Sequence, residues 1–385
     1  MIANISFPRL IKLGPGAVEE LGSVLTDLGV ERPLLVTDSF MVGNGAADRL
    51  AKIIEAAAKQ VSVFSDTVPD PTTDSLQAGL AAVTAHSADA IIGFGGGSPM
   101  DTAKALAVLS ERGGVMRDFI SPNVYSGPAL PIVAIPTTAG SGSEATQFTI
   151  ITDVAADEKM LCPGLSFLPI ASIVDSELTV SMPARLTADT GVDALTHAIE
   201  AYVSKRANPI SDGLALSAMK TVGTYLVRAY RDGSDREARE QMMHASTQAG
   251  MAFSNASVCL VHGMSRPIGA HFHVAHGLSN AMLLPAVTAF SIPGARTRYA
   301  DCARQLEVAK PQDTDEQASA KLIEFIDTLC SDVEVPRPST YGIDKNQWDR
   351  LIPLMAQQAL ASGSPSNNPV VATAEQIAEL YRVIY

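Results

Sequence analysis

The chain has 385 residues, 46% of them hydrophobic and 18% charged, with a formal net charge of −13 at neutral pH. That length exceeds one ordinary core, so two globular domains are expected. The acidic balance argues against binding nucleic acid or an anionic membrane through bulk electrostatics, and no apolar run is long enough to cross a bilayer.

The opening stretch, MIANISFPRLIKLGPG, lacks the charged-then-apolar order of a secretory signal. Four scattered cysteines without a CxxC spacing fit a reducing compartment, so a cytoplasmic location is expected. Along the first half, short β-branched runs alternate with amphipathic stretches. ISFPRLIKL predicts a strand and GAVEELGSVLTDLG a helix. PLLVTD, VSVFSD, DAIIGFGGGS and PIVAIPTT predict further strands, separated by helices over AADRLAKIIEAAAK, TDSLQAGLAAVTAH and PMDTAKALAVLS. This alternation predicts a largely parallel, doubly wound α/β sheet, whose ligands sit at the carboxyl ends of the strands.

Three candidate ligand positions fall at such ends. Gly95, Gly96, Gly97 and Ser98 follow DAIIGF and precede a helix. Glycines let backbone approach a ligand, and the free N–H groups of a helix start suit phosphate. Ser98 is expected to cap that helix, with Asp101 completing a capping box. The simpler reading is a tight turn that needs glycine for steric reasons alone. Asp38 ends PLLVTD, where a carboxylate can accept from ribose hydroxyls and repel a 2′-phosphate, or can simply cap the next helix. Pro136 to Glu144, PTTAGSGSE, is a hydroxyl- and glycine-rich loop. QFTIITD, a polar turn over residues 153–159 and LPIASIVD then read as the last strands of this domain, with a boundary at 182/183.

After Pro183 the β-branched runs largely stop. Helical periodicity or composition covers residues 187–204, 211–230, 236–254, 277–291, 294–307, 315–331, 345–361 and 373–384. Residues 183–385 are therefore expected to form an all-α domain. Inside it, TGVDALTHAIEAY places Asp193 and His197 four apart, on one face of a helix. His262 and His276 frame VHGMSRPIGAHFHVAHG. One carboxylate oxygen and three imidazole nitrogens suit iron or zinc. Any one of these histidines alone reads as an ordinary core or surface residue.

Taken together, the chain resembles the iron-containing (group III) alcohol dehydrogenase family, with motifs in order over essentially its whole length. GGGSPMDTAK (95–104) resembles that family's cofactor pyrophosphate loop, and PTTAGSGSEAT (136–146) its second nucleotide-contacting segment. TGVDALTHAIEAY and VHGMSRPIGAHFHVAHGLSNA resemble its two metal-binding segments. The resemblance implies a dehydroquinate synthase-like plan: a dinucleotide-binding α/β domain over residues 1–182, an all-helical domain over 183–385, and an active site in the cleft. It implies Asp193, His197, His262 and His276 as ligands of Fe(II), with Zn(II) as the alternative. It further implies Gly96, Gly97 and Ser98 on the pyrophosphate, Thr137 and Thr138 on the nucleotide, and Asp38 at the adenosine ribose. Asp70, Ser141 and Lys159 are additional expected contacts. NAD is expected over NADP, and a homodimer or larger homo-oligomer is the expected assembly.

Two positions depart from the family pattern. Arg266 stands where a further histidine is common, and Ala275 replaces a proline. Arg266 is a permanent cation, and its simpler reading is pairing with a nearby carboxylate. The sharper reading gives Arg266, with His271 or His273, a catalytic or substrate role favouring an acidic group.

The expected chemistry is hydride transfer between NAD(H) and a short-chain alcohol or aldehyde. A Lewis-acidic ion lowers the pKa of bound water from about 15.7 to about 7, and should act on an alcohol similarly. The alternatives are a zinc polyol dehydrogenase of the glycerol type, a dehydroquinate synthase-like lyase using NAD transiently, and a nucleotide-binding protein without catalysis.

Overall fold

Alternating side chains in the short central strands face opposite ways, and both directions are apolar. In a computed structural model, which describes residues 2–156 and 158–385, this builds a sheet buried on both faces. Met1, and Asp157 of the predicted polar turn, lie outside the described residues. The chain divides into two compact units. One comprises Ser6–Thr138 and Gly142–Val180; the other comprises Met1–Ile5, Ala139–Ser141 and Ser181–Tyr385. Composition could not reveal the short Ala139–Ser141 excursion, because glycine and serine run on through its borders.

The first unit contains, in order, β1 (Leu10–Leu13), α1 (Leu21–Asp27), β2 (Pro33–Val36), α2 (Ser39–Gly43), α3 (Ala46–Ala56) and β3 (Ser62–Phe64). Then come α4 (Ser75–His86), β4 (Ala90–Gly95), α5 (Gly97–Arg112), β5 (Ile132–Pro136), β6 (Phe148–Asp153), β7 (Glu158–Pro163) and β8 (Ala171–Val174). Six strands form one sheet in the order β1-β8-β5-β4-β2-β3, with every pairing parallel. Leu34, Val36, Ile91 and Ile132 pack with Leu76, Val83 and Leu106 on one face. Leu35, Ile92, Phe94, Val133 and Ile173 pack with Leu21, Leu25, Leu50 and Ile54 on the other. The period-two side-chain direction of a strand explains the division. Successive strands leave β2 first towards β3 and then towards β4, so the order reverses between β2 and β4. That reversal is the expected ligand crevice of an open parallel sheet.

QFTIITD does not extend this sheet as expected. β6 and β7 instead form a separate antiparallel pair, from Phe148 opposite Pro163 to Asp153 opposite Glu158. The charged start of β7, Glu158-Lys159, disguised it as a turn.

The second unit holds α6 (Ala184–Val203), α7 (Pro209–Arg231), α8 (Arg236–Ala256), α9 (Leu260–Phe272) and α10 (His276–Ser291). It continues with α11 (Arg296–Gln305), α12 (Asp315–Asp332), α13 (Pro338–Tyr341), α14 (Lys345–Ala361) and α15 (Ala374–Ile384). Among the described residues it contains no strand. Side chains at helix starts satisfy the free amides: Asn208 accepts from Ile210 and Ser211, Asp235 from Ala238, and Thr314 from Gln317. Helix α9 was not predicted, because Gly263, Pro267 and Gly269 all lower helix propensity. Tertiary packing outweighs them: α9 is buried for most of its length, and the buried Tyr381 hydroxyl donates to Met264 O at 2.7 Å. No helix among the described residues is long and apolar enough to cross a membrane.

Candidate metal and nucleotide sites

Helix α6 is 20 residues long and buried along most of its length. Asp193 and His197 stand one turn apart on it, both buried. His262 lies in the first turn of α9 and His276 opens α10. The absence of a side chain at Gly277 lets α10 come close to α6: a Cβ there would lie 2.4 Å from Asp189 O. Asp193 Oδ1 is 3.5 Å from His262 Nε2, and 3.9 Å from both His197 Nε2 and His276 Nε2. One ligand atom from each of the four residues lies within 4.8 Å of the others. Ligands about 2.1 Å from a tetrahedral ion sit roughly 3.4 Å apart, so the four donors match one ion with slight contraction.

Protonation fits the same use. Burial raises the Asp193 pKa, but His197, His276 and His262 outweigh it and hold the carboxyl well below its usual range. Burial lowers His197 to about 3, against the opposing charge of Asp193. Its ring is therefore neutral and able to offer a lone pair. The ring stacks on Phe253 at 4.1 Å and on His262 at 4.4 Å between centroids. His197 Nδ1 has no partner of good hydrogen-bond geometry, although the nearby Gly140 backbone slightly favours the charged ring. For His262, burial opposes charging, and hydrogen bonds to Asp193 and Glu200 outweigh it, raising the pKa.

Two residues of this centre escaped sequence reasoning. Asn280 Nδ2 lies 2.7 Å from Asp193 Oδ1, 3.1 Å from His262 Nε2 and 3.2 Å from His276 Nε2. A carboxylate only accepts, so the atom facing Asp193 is the amide nitrogen. Glu200 is buried behind His262, with Oε2 2.7 Å from Nδ1. Spacing offered a signal for both: Glu200 is three residues beyond His197, and Asn280 four beyond His276.

Arg266 and His271 take other partners. Burial lowers the Arg266 pKa to about 10, against the charge of Glu200. Among the described residues the guanidinium forms no ion pair with a carboxylate, contrary to the simpler expectation; its NH1 donates to Ser362 O at 3.4 Å, and Nε is unpartnered. His271 Nε2 is 2.7 Å from Gln358 Oε1. His273 is exposed and ends α9 in left-handed backbone, with φ 54°.

In the sheet unit, β5, β4 and β2 are neighbours, so the loops after them lie side by side. Gly95, with φ 145°, has no room for a side chain: a Cβ would lie 2.7 Å from Pro99 Cγ and 3.5 Å from Asp38 Oδ2. The cap of α5 is Gly96 and not Ser98 as predicted, so Ser98 lies within the first turn. Ser98 Oγ accepts from Asp70 N at 3.2 Å, and Lys159 Nζ pairs with Asp70 Oδ1 at 2.7 Å. Asp101 completes no capping box; it accepts from Ser143 Oγ and Ile150 N. Asp38 caps α2 by accepting from Met41 N at 2.9 Å. Thr137 N donates to Gly95 O at 2.9 Å, and Thr138 lies beside Gly96. These residues share one sheet edge, whereas Ser141 falls in the Ala139–Ser141 stretch of the helical unit.

The family profile described as iron-containing alcohol dehydrogenase matches residues 8–176. That of the Fe-containing alcohol dehydrogenase family, C-terminal, matches residues 187–385. The chain is 36% identical over 381 residues to the NAD-dependent methanol dehydrogenase of Bacillus methanolicus, covering 99% of each chain. It is 33% identical over 387 residues to the NADPH-dependent butanol dehydrogenase of Clostridium saccharobutylicum, covering 99% of this chain and 98% of the relative. The crystal structure of a 1,3-propanediol oxidoreductase superposes with a TM-score of 0.96 at 33% identity, covering 100% of both chains.

Proposed function

Because the chain belongs to the iron-containing alcohol dehydrogenase family and is an oxidoreductase acting on alcohols, we propose that it interconverts a short-chain primary alcohol and its aldehyde with NAD(H), using iron held by Asp193, His197, His262 and His276. The observation that carries this reading is the convergence of those four donors, one atom from each within 4.8 Å of the rest. The donor set alone would also accept zinc. When bound, the ion supplies a Lewis acid that makes the alcohol hydroxyl easier to deprotonate.

The remaining work falls to the chain's own groups. Gly96 lets the dinucleotide backbone approach, and the N–H groups at the start of α5 receive the pyrophosphate. Thr137 and Thr138 contact the nucleotide from the adjoining loop. Asp70, Ser98 and Lys159, already joined to one another, and Ser141 are further contacts. Asp38 accepts from the adenosine ribose and disfavours a 2′-phosphate by like charge. NAD held by these residues would supply the two-electron acceptor for the hydride given up by the alcohol carbon, with the hydroxyl proton passing to solvent. Arg266 enters as a fixed cation one turn from His262, and His271 is given no chemical step. A homo-oligomer acting in the cytoplasm completes the proposal. Family membership sets aside the lyase and the non-catalytic readings.

The test strips the protein with a chelator and restores Fe(II) or Zn(II) without oxygen. NADH formation is then followed on short alcohols, diols and glycerol, and NADH oxidation on aldehydes with and without a terminal acid. Activity should vanish on stripping and return best with Fe(II). Full turnover by rigorously metal-free protein would refute the reading.

A further inference from the structure

Glu200 is a buried carboxylate on α6, and three donors meet it. Oε2 accepts from Cys259 N at 2.9 Å and lies 2.7 Å from His262 Nδ1. Oε1 accepts from Val261 N at 2.6 Å. Both backbone donors belong to the start of α9, a helix of 13 residues, so the carboxylate also satisfies free amides at a helix terminus. A carboxylate in this position only accepts, and so His262 Nδ1 must carry hydrogen. In the neutral ring the lone pair then lies on Nε2, the atom facing Asp193 and the amide of Asn280.

We propose that Glu200 is a positioning residue: it fixes His262 as the Nδ1–H tautomer and aims the Nε2 lone pair at the ion. The inference rests on reading Asp193, His197, His262 and His276 as metal ligands. Such a partner orients the ring and raises its basicity as a ligand. Among the three histidines the support is unequal. His276 Nδ1 is 3.4 Å from Ser265 Oγ, and His197 Nδ1 lacks a partner of good geometry. His262 is backed by a carboxylate that also anchors its own helix. The same contact thus sets two things at once: where the ring proton sits and where α9 begins.

Glu200→Gln disturbs both roles, and two measurements tell them apart. With its amide nitrogen facing His262, glutamine requires Nδ1 to accept, which moves the ring proton onto Nε2 and blocks the ligand atom. With its amide nitrogen facing Val261, it sets donor against donor at the α9 start. Affinity for Zn(II) and Fe(II) is measured by competition with a chromophoric chelator, alongside thermal unfolding of the metal-free proteins. Glu200→Gln should lose about 10- to 100-fold in affinity. Glu200→Asp, which keeps the carboxylate, should retain more of it. If Glu200→Gln unfolds at a lower temperature when metal-free but binds metal as wild type does, Glu200 is structural only and the proposal fails. Should the variant not fold, 15N-histidine NMR of the zinc-loaded wild type reads the tautomer directly. A proton on His262 Nδ1 supports the proposal, and coordination through Nδ1 overturns it. Failure of wild type to bind either ion would instead overturn the ligand assignment itself.

Discussion

Asp38 caps a helix and, in the proposed assignment, also faces the ligand. One oxygen accepts from Met41 N to start α2, and the other lies towards Gly95. Asparagine caps a helix about as well as aspartate, so Asp38→Asn removes the charge and keeps the turn. The ratio of kcat/KM for NADPH to that for NADH should rise roughly tenfold, corresponding to about 1.4 kcal/mol, with little change in melting temperature. An unchanged ratio would take Asp38 out of cofactor selection. At this scale the sequence revealed what spacing encodes. Asp193 and His197 were legible because a helical repeat puts them on one face. Glu200 and Asn280 were not, because a carboxylate or an amide in a helical stretch more often faces water. Only the inward turn of α6 and the close approach of α10 bury them. Ser98 was misread because the chain turns helical two residues earlier than serine capping preferences suggest.

Among the elements, α5 matters most to the proposed nucleotide edge, and Lys104 in its second turn binds it to the loop after β5. The ammonium is buried and donates to Ser143 Oγ, Thr146 O, Thr146 Oγ1 and Phe148 O, between 2.8 and 3.1 Å. Burial pulls its pKa to about 8, opposed by Asp101 and Glu144. Asp101 accepts from Ser143 Oγ and Ile150 N, so the same loop is held twice. Lys104→Met fits the volume but strands these oxygens and leaves Asp101 without its nearest cation. The expected loss is about 2–4 kcal/mol in denaturant unfolding, by comparison with other broken buried polar contacts, together with a raised KM for NAD. A variant as stable as wild type would show that water or rearrangement satisfies the loop. The strands and helices of this half were legible from hydrophobic alternation. Strand β7 and helix α9 were not: one begins with charges, and the other is laced with glycine and proline. In both, burial against neighbours decides what local propensity does not.

For the whole molecule, the proposed ligands divide by unit. All four candidate metal ligands come from the helical unit, whereas Asp38, Gly96, Gly97, Ser98, Thr137 and Thr138 come from the sheet unit. An ion at a thousandfold excess over its Kd stabilises the state it binds by about 4.1 kcal/mol. Hydrogen exchange should therefore show zinc slowing amides of α6, α9 and α10 while leaving β4 and α5 little changed. NAD should do the reverse. Protection by zinc spread evenly over both units would contradict this division. The two-part plan was legible because β-branched alternation stops near Pro183. The return of Ala139–Ser141 to the helical unit was hidden, since no change of residue type accompanies it. Gly140 sits so close to α6 that a Cβ would lie 2.4 Å from Thr190 Cβ. Thr138, two residues earlier, lies beside Gly96. Two peptide bonds thus separate a residue packed on the helix of Asp193 and His197 from one beside the proposed dinucleotide cradle. A side chain at position 140 would therefore have to push the loop away from Thr190, and a displaced loop would carry Thr138 with it.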